Sequence, residues 1–221
     1  MNRDTTWHEL YDRMSDKSCP ICSLIVTRKN ALMKFILYEG VNDRGVRAQL
    51  CDSDGICNVH AYQMLELGDP LAHAIIYSDI LNRFIDDTNV LREPVSSVHE
   101  KCYFCHSLDH SESAYVKAFA LNFSDDDFRN KYFENGIVCV PHNKAVLAKI
   151  KDPALQLVFK NASKAQYREL IGNLSEIKRK SDYRNSKEAW TVAEKEAWKK
   201  VVAIVNGYQG KKNDRKHGKQ K

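Results

Sequence analysis

The sequence predicts an all-α protein: two pseudo-repeated helical modules, each with a Cys3His metal site, followed by a C-terminal helix and a disordered basic tail. Three observations carry this expectation. Nine glycines and five prolines in 221 residues are about half the roughly 12% of an average chain, which disfavours turn-rich β folds. Apolar residues recur at helical spacing along most of the chain. A set of Cys, His, Gly, Arg and Asp-Pro features also occurs twice in one register.

In chain order, apolar spacing places helices near 21–39, 43–53 and 57–67. Asp69-Pro70 then starts a longer one, near 70–91, because Asp accepts hydrogen bonds from free first-turn amides and Pro lacks only a donor unpaired there. Its apolar face reads Leu71, Ile75, Tyr77, Ile80, Leu81, Phe84 and Ile85. Residues 93–101, with Pro94 and Ser96-Ser97, read as a linker. Helices near 104–122, 125–134 and 140–150 follow, Asp125-Asp126-Asp127 reading as a capped, dipole-matched first turn. Asp152-Pro153 opens a long helix over 153–180, and a last one spans 187–206. The aromatic stripes, Tyr77 with Phe84 and Trp190 with Trp198, have core spacing. The expected divisions are a first metal-binding repeat over 1–92, a second over 102–182, a C-terminal helix over 183–207 packing on them, and the tail over 208–221.

The duplication centres on cysteine. Cys19-Pro20-Ile21-Cys22 is followed by Cys57-Asn58-Val59-His60, and Cys102-Tyr103-Phe104-Cys105 by Cys139-Val140-Pro141-His142. Offsets are 83 for the first pair and 82 for the second. Arg47 and Arg129, Lys34 and Lys117, and Asp69 and Asp152 keep the same register, which points to internal duplication. Three soft thiolates and one imidazole suit tetrahedral zinc. A Cys-x-x-Cys turn aims two sulfurs at one point, and Cys-x-x-His at a helix start does so through i, i+3 neighbours at the positive end of the helix dipole. The expectation is two Zn2+ sites, bound within repeats by Cys19, Cys22, Cys57 and His60 and by Cys102, Cys105, Cys139 and His142. An iron-sulfur cluster is the alternative, because clusters accept histidine in place of cysteine, and the alternative function is then that of a redox sensor or electron-transfer protein.

Other readings carry less. Cys102-Tyr103-Phe104-Cys105-His106 fits c-type haem attachment, but Ser23 stands at the matching place in the first repeat. A thiol-disulfide pair lacks its βαβ setting. Cys51 reads as a core thiol, and His8, His73, His99 and His110 as surface or capping residues. Tyr103 and Phe104, in place of Cys19's following proline, suggest a flexible turn with His106 as a rival ligand, so the site containing Cys102 and Cys105 is expected to release its metal first.

No phosphate-cradling loop, nucleophile elbow, zincin motif or Glu-x-x-His pair occurs, and closed tetrads leave no open coordination position. No catalytic or separate cofactor-binding residue stands out, so the expected function is binding or regulation through a protein partner. No run approaches the ~18 apolar residues of a membrane span, and Met1-Asn2-Arg3-Asp4 lacks the stretch of a secretion signal. The expected setting is the cytoplasm, with no membrane contact. The net charge of +5 resides in Lys211–Lys221, which holds six Lys/Arg and one Asp, leaving 28 basic and 28 acidic residues elsewhere. That tail could contact nucleic acid weakly.

On these motifs the chain resembles an uncharacterised prokaryotic family known as a domain of unknown function. The resemblance spans about residues 5–207. It includes the Cys19–Cys22 opening, Gly55 to His60, Asp69-Pro70, the second round through His142, and a closing Asp182-Tyr183-Arg184 with Trp198. It implies an all-α metal-site protein and supplies no activity.

Overall fold

The computed structural model describes residues 3–16, 18–52, 55–86, 102–185 and 187–208. The linker over 93–101, His99 and the tail from residue 209 onward lie outside the described residues. Among those described there are ten α-helices and no strand: α1 (Thr5–Arg13), α2 (Pro20–Tyr38), α3 (Arg44–Asp52), α4 (Asn58–Leu65), α5 (Pro70–Asp86), α6 (Tyr103–Asn122), α7 (Asp126–Asn135), α8 (Val140–Leu147), α9 (Pro153–Lys180) and α10 (Val192–Asn206). None is long and apolar enough to cross a membrane.

Helix starts follow local chemistry. Asp4, Asp125 and Asp152 cap α1, α7 and α9 by accepting from the amides of Trp7, Phe128 and Ala154. Asp69 accepts from the Ala72 amide at 2.9 Å ahead of α5. The α7 cap is therefore Asp125, with Asp126 and Asp127 in the first turn. At α10 the start is Thr191, not residue 187. Thr191 and Glu194 form a reciprocal capping box that satisfies two free backbone donors. Helix α1 is absent from the sequence expectation, although Asp4 and the buried spacing of Trp7, Leu10 and Met14 mark it.

The chain forms two compact units, and they do not coincide with the sequence repeats. One comprises Met1–Leu24 with Ala114–Lys221; the other is Ile25–Ser113. The first joins the opening of the first repeat to most of the second. Its centre is an aromatic cluster of Phe119, Phe123, Phe128, Tyr132 and Phe159, with edge-on or stacked ring pairs at 5.2–6.4 Å, the geometry favoured by ring quadrupoles. A second layer, Ile137, Leu170, Ala197 and Ile204, seats α10. There the buried Lys180 donates to Glu194 at 2.8 Å, and that ion pair with the Thr191 amide holds the Glu194 carboxyl below its ordinary value.

The other unit packs Met33, Ile36, Leu37, Leu50, Met64, Ala72, Ile76 and Ile80 around Cys57, Cys102 and Phe104. The buried stripe of α5 is thus Ala72, Ile76 and Ile80, while Leu71, Leu81 and Ile85, read as core, are exposed. The contiguous apolar run offers two neighbouring faces, and packing selects the one toward α3. Trp198 is also corrected: it is 54% exposed, because Ala197 and Ile204 take the inward positions of α10.

Equivalent positions show the same local geometry. Arg47 donates to the Val41 carbonyl and Arg129 to that of Phe123, each six residues upstream. Asp43 and Asp125, four residues before each arginine, both accept first-turn amides.

Candidate metal centres

Cys19 and Cys102 each stand immediately before a helix, α2 and α6, and their carbonyls accept from the amides of Ser23 and His106 at 3.0 Å. The second thiol of each pair therefore lies one turn in, on the same face. Cys57 and Cys139 cap α4 and α8 in extended conformation, at φ/ψ of −60/152° and −64/157°. Their carbonyls bond the amides of Ala61 and Asn143, which brings His60 and His142 back over the sulfurs. Each half-motif thus sits at a helix N-terminus, where free amides and the dipole favour thiolate.

The halves join across the repeats. Cys19, Cys22, Cys139 and His142 form one group and Cys57, His60, Cys102 and Cys105 the other, the ligand atoms in each lying within 4.8 Å of one another. The within-repeat pairing expected from the sequence is therefore corrected. Each Cys-x-x-Cys meets the Cys-x-x-His of the other repeat, and each group lies inside one compact unit.

In the first group, Cys22 Sγ is 3.6 Å from Cys139 Sγ, and His142 Nδ1 lies 3.4, 3.3 and 3.1 Å from the sulfurs of Cys19, Cys22 and Cys139. In the second, Cys57 Sγ is 3.7 Å from Cys105 Sγ, and His60 Nδ1 lies 3.3, 3.8 and 3.4 Å from Cys57, Cys102 and Cys105. A tetrahedral zinc with Zn–S of about 2.3 Å and Zn–N of about 2.0 Å separates its ligand atoms by roughly 3.5–3.8 Å. The Cys22–Cys139 and Cys57–Cys105 separations match such an ion, and the nitrogen–sulfur separations come within about 0.4 Å of it.

The clustered thiols and imidazoles perturb one another. Burial pushes the Cys19 thiol up, but hydrogen bonds with Cys139, Cys22 and His142 outweigh it and hold Cys19 well below an ordinary thiol. Sharing with Cys139 and Cys19, together with burial, drives Cys22 up, and sharing with Cys19, together with burial, raises Cys139 against the opposing bonds to Cys22 and His142. In the second group, hydrogen bonds with Cys105 and Cys57 lower Cys102, and sharing with Cys102 and Cys57 raises Cys105. Burial lowers His60, yet its bonds to Cys102 and Cys57 carry it to about 9. Left to themselves, the thiols of each group cannot all ionise together, and a dication displaces their protons.

Surrounding groups, unmarked by ligand spacing, hold these ligands. The Tyr167 hydroxyl donates to the Val138 carbonyl at 2.7 Å, fixing the approach to Cys139. Gly136, just upstream, leaves no room for a side chain, since a Cβ would meet the Tyr132 ring at 2.5 Å and backbone at 3.0 Å. Phe104, expected in a loose turn, lies in the first turn of α6, fully buried with its ring 5.6 Å from that of His60. His106 is exposed and belongs to neither group. His8 and His110 are exposed, and His73 bonds the Asp69 carbonyl at 2.8 Å. Cys51 is half-buried against the core of its unit.

The groups differ in access: all four ligands of the first are buried, whereas Cys105 of the second is half-exposed. His60 Nε2 is buried without a hydrogen-bond partner among the described residues. Under a thiol-alkylating reagent, Cys57, Cys102 and Cys105 should be labelled before Cys19, Cys22 and Cys139. Time-resolved mass-spectrometric mapping checks this order, and simultaneous labelling of both sets would contradict it.

Fold and site together define a helical protein with two buried Cys3His-type groups able to hold metal ions. The chain belongs to a family of unknown function, DUF6062, which it matches over residues 7–94 and 87–212. It is 31% identical over 207 residues to an uncharacterized 23.9 kDa protein in the xynA 3′ region of Caldicellulosiruptor sp. (strain Rt8B.4), covering 90% of this chain and all of that protein. No solved structure matches.

Proposed function

We propose that this is a structural zinc protein of binding or regulatory type, with one ion in each Cys3His group and the helical surface presented to a protein partner. The observation that carries the reading is the confinement of all four ligand atoms of each group within 4.8 Å. That spacing suits a single ion, whereas the bridging irons and sulfides of a cluster hold terminal ligands farther apart. Bound zinc would supply cross-linking and charge neutralisation, and four protein donors leave it no position for substrate. Cys19 and Cys22 tie the start of α2 to the start of α8 through Cys139 and His142, and Cys57 and His60 tie α4 to α6. Elemental analysis and a visible spectrum of anaerobically purified protein test the proposal. Two equivalents of zinc in colourless protein support it; a visible absorption band that bleaches on reduction, with iron present, overturns it.

The basic tail is a separate proposal. Six cationic side chains in Lys211–Lys221 give a weak, sequence-blind attraction to nucleic acid that weakens steeply with salt through counterion release. Removing residues 211–221 should abolish any such binding in an electrophoretic or anisotropy titration at low salt. Equal affinity with and without the tail would exclude it as the contact.

A further inference from the structure

The face of α3 that carries Arg44, Arg47 and Cys51 meets the face of α5 that carries Asp79, Asn82 and Arg83 across an open cleft of about 560 Å³. Among the described residues lining it, three are arginines and one is an aspartate. Two of these groups are held in place. Arg47 donates to the Val41 carbonyl at 2.9 Å and pairs through Nε with Asp79 at 2.8 Å. Arg83 donates to the Cys51 carbonyl. A guanidinium carries five N–H donors, so these two bonds orient Arg47 without using it up. Arg44 at the mouth is exposed, with no hydrogen-bond or ion-pair partner among the described residues.

A counterpart in the other unit gives an internal comparison. A cleft of about 480 Å³ between α7 and α9 is lined by Phe133, Val158, Ala162, Ala165 and Gln166, among others. In the register that relates Arg47 to Arg129 and Asp69 to Asp152, Cys51, Asp79, Asn82 and Arg83 correspond to Phe133, Ala162, Ala165 and Gln166. Even the anchoring persists, since Gln166 donates to the Tyr132 carbonyl at 3.1 Å as Arg83 does to that of Cys51. Arg44 corresponds to Asp126, which pairs with Arg129. A hollow at the equivalent place therefore exists in each unit, lined with arginine in one and, with Asn161, Gln166 and Glu169 as its polar groups, without arginine in the other. Helix solubility alone does not require three arginines facing one hollow, two of them braced by backbone carbonyls. Planar guanidinium forks match the paired oxygens of phosphate and carboxylate, and the volume is that of a small-molecule pocket.

We propose that the α3–α5 cleft binds a small dianionic oxyanion, a phosphate monoester or a dicarboxylate, through Arg44, Arg47 and Arg83. The site is separate from the metal centres, and its occupancy can be measured on zinc-loaded, full-length protein. Isothermal titration with inorganic phosphate, glycerol phosphate and succinate, none of them a strong zinc chelator, distinguishes the two ligand sources by which binds tighter. Arg44→Glu is the informative variant because the residue is exposed and has no hydrogen-bond or ion-pair partner among the described residues, and Lys160→Glu at an exposed position of α9 controls for the charge change. The expected result is saturable, one-to-one binding of at least one probe, weakened at least about tenfold by Arg44→Glu, as for loss of a charge-assisted hydrogen bond, and unchanged by Lys160→Glu. The absence of saturable binding at millimolar concentrations, equal affinity in Arg44→Glu, or equal weakening by both variants would overturn the proposal.

Discussion

Complete removal of metal from this protein should unfold it, with α2, α4, α6 and α8 losing helicity in the same transition. Each group draws together the N-termini of two helices, and a cation bound there would cross-link them. A structural zinc site is worth about 10–16 kcal/mol apparent near neutral pH. A typical domain has only about 5–15 kcal/mol of net stability, so loss of either site consumes most of what holds its unit together. Circular dichroism during titration with a high-affinity chelator under reducing conditions measures this. A melting curve unchanged after metal removal, verified by elemental analysis, would show that packing alone carries the fold.

Cys22→Ser should have the second-largest effect and should report the crossed pairing directly. The expected result is loss of one of two metal equivalents, with Cys19 and Cys139 becoming reactive together while Cys57, Cys102 and Cys105 stay protected. Pairing within repeats predicts instead that Cys57 becomes reactive and Cys139 does not. Thiol labelling with peptide mapping separates these outcomes in one experiment. The reciprocal variant, Cys57→Ser, should expose Cys102 and Cys105 and leave Cys139 protected.

Those two outcomes also mark what could be read in the sequence. All eight grouped side chains were legible, because i, i+3 spacing is a local property and the two halves are complementary. Their partners were not, since either assignment keeps every local spacing and only tertiary packing chooses between them. Helix existence was legible for the same reason, from Asp-Pro starts at 69 and 152 and from periodicity. The buried face of α5 was not, because its run of Leu, Ile and Tyr is apolar on two adjoining faces and α3 decides which is covered. Two signals were present and unused: Asp4 ahead of Trp7, Leu10 and Met14 for α1, and Thr191 with Glu194 for the start of α10. The shared hollow of α3–α5 and α7–α9 was invisible, being assembled from residues whose individual spacing looks like an ordinary solvated face.

The crossed pairing gives the two centres a nested order along the chain. The inner one closes over 48 residues, between Cys57 and Cys105, and the outer over 117, between Cys22 and Cys139. From an open chain the outer closure costs only about 0.8 kcal/mol more in loop entropy, so thermodynamics scarcely ranks them. Synthesis does. As the chain leaves the ribosome, Cys19, Cys22, Cys57 and His60 are all available before any native set is complete, and Cys105 follows His60 by 45 residues. The first full complement of three thiols and an imidazole that the nascent protein can offer a metal ion is therefore the wrong one. A metal ion captured at that stage would have to change partners as Cys102 and Cys105 arrive, and ligand exchange would then lie on the route to this fold.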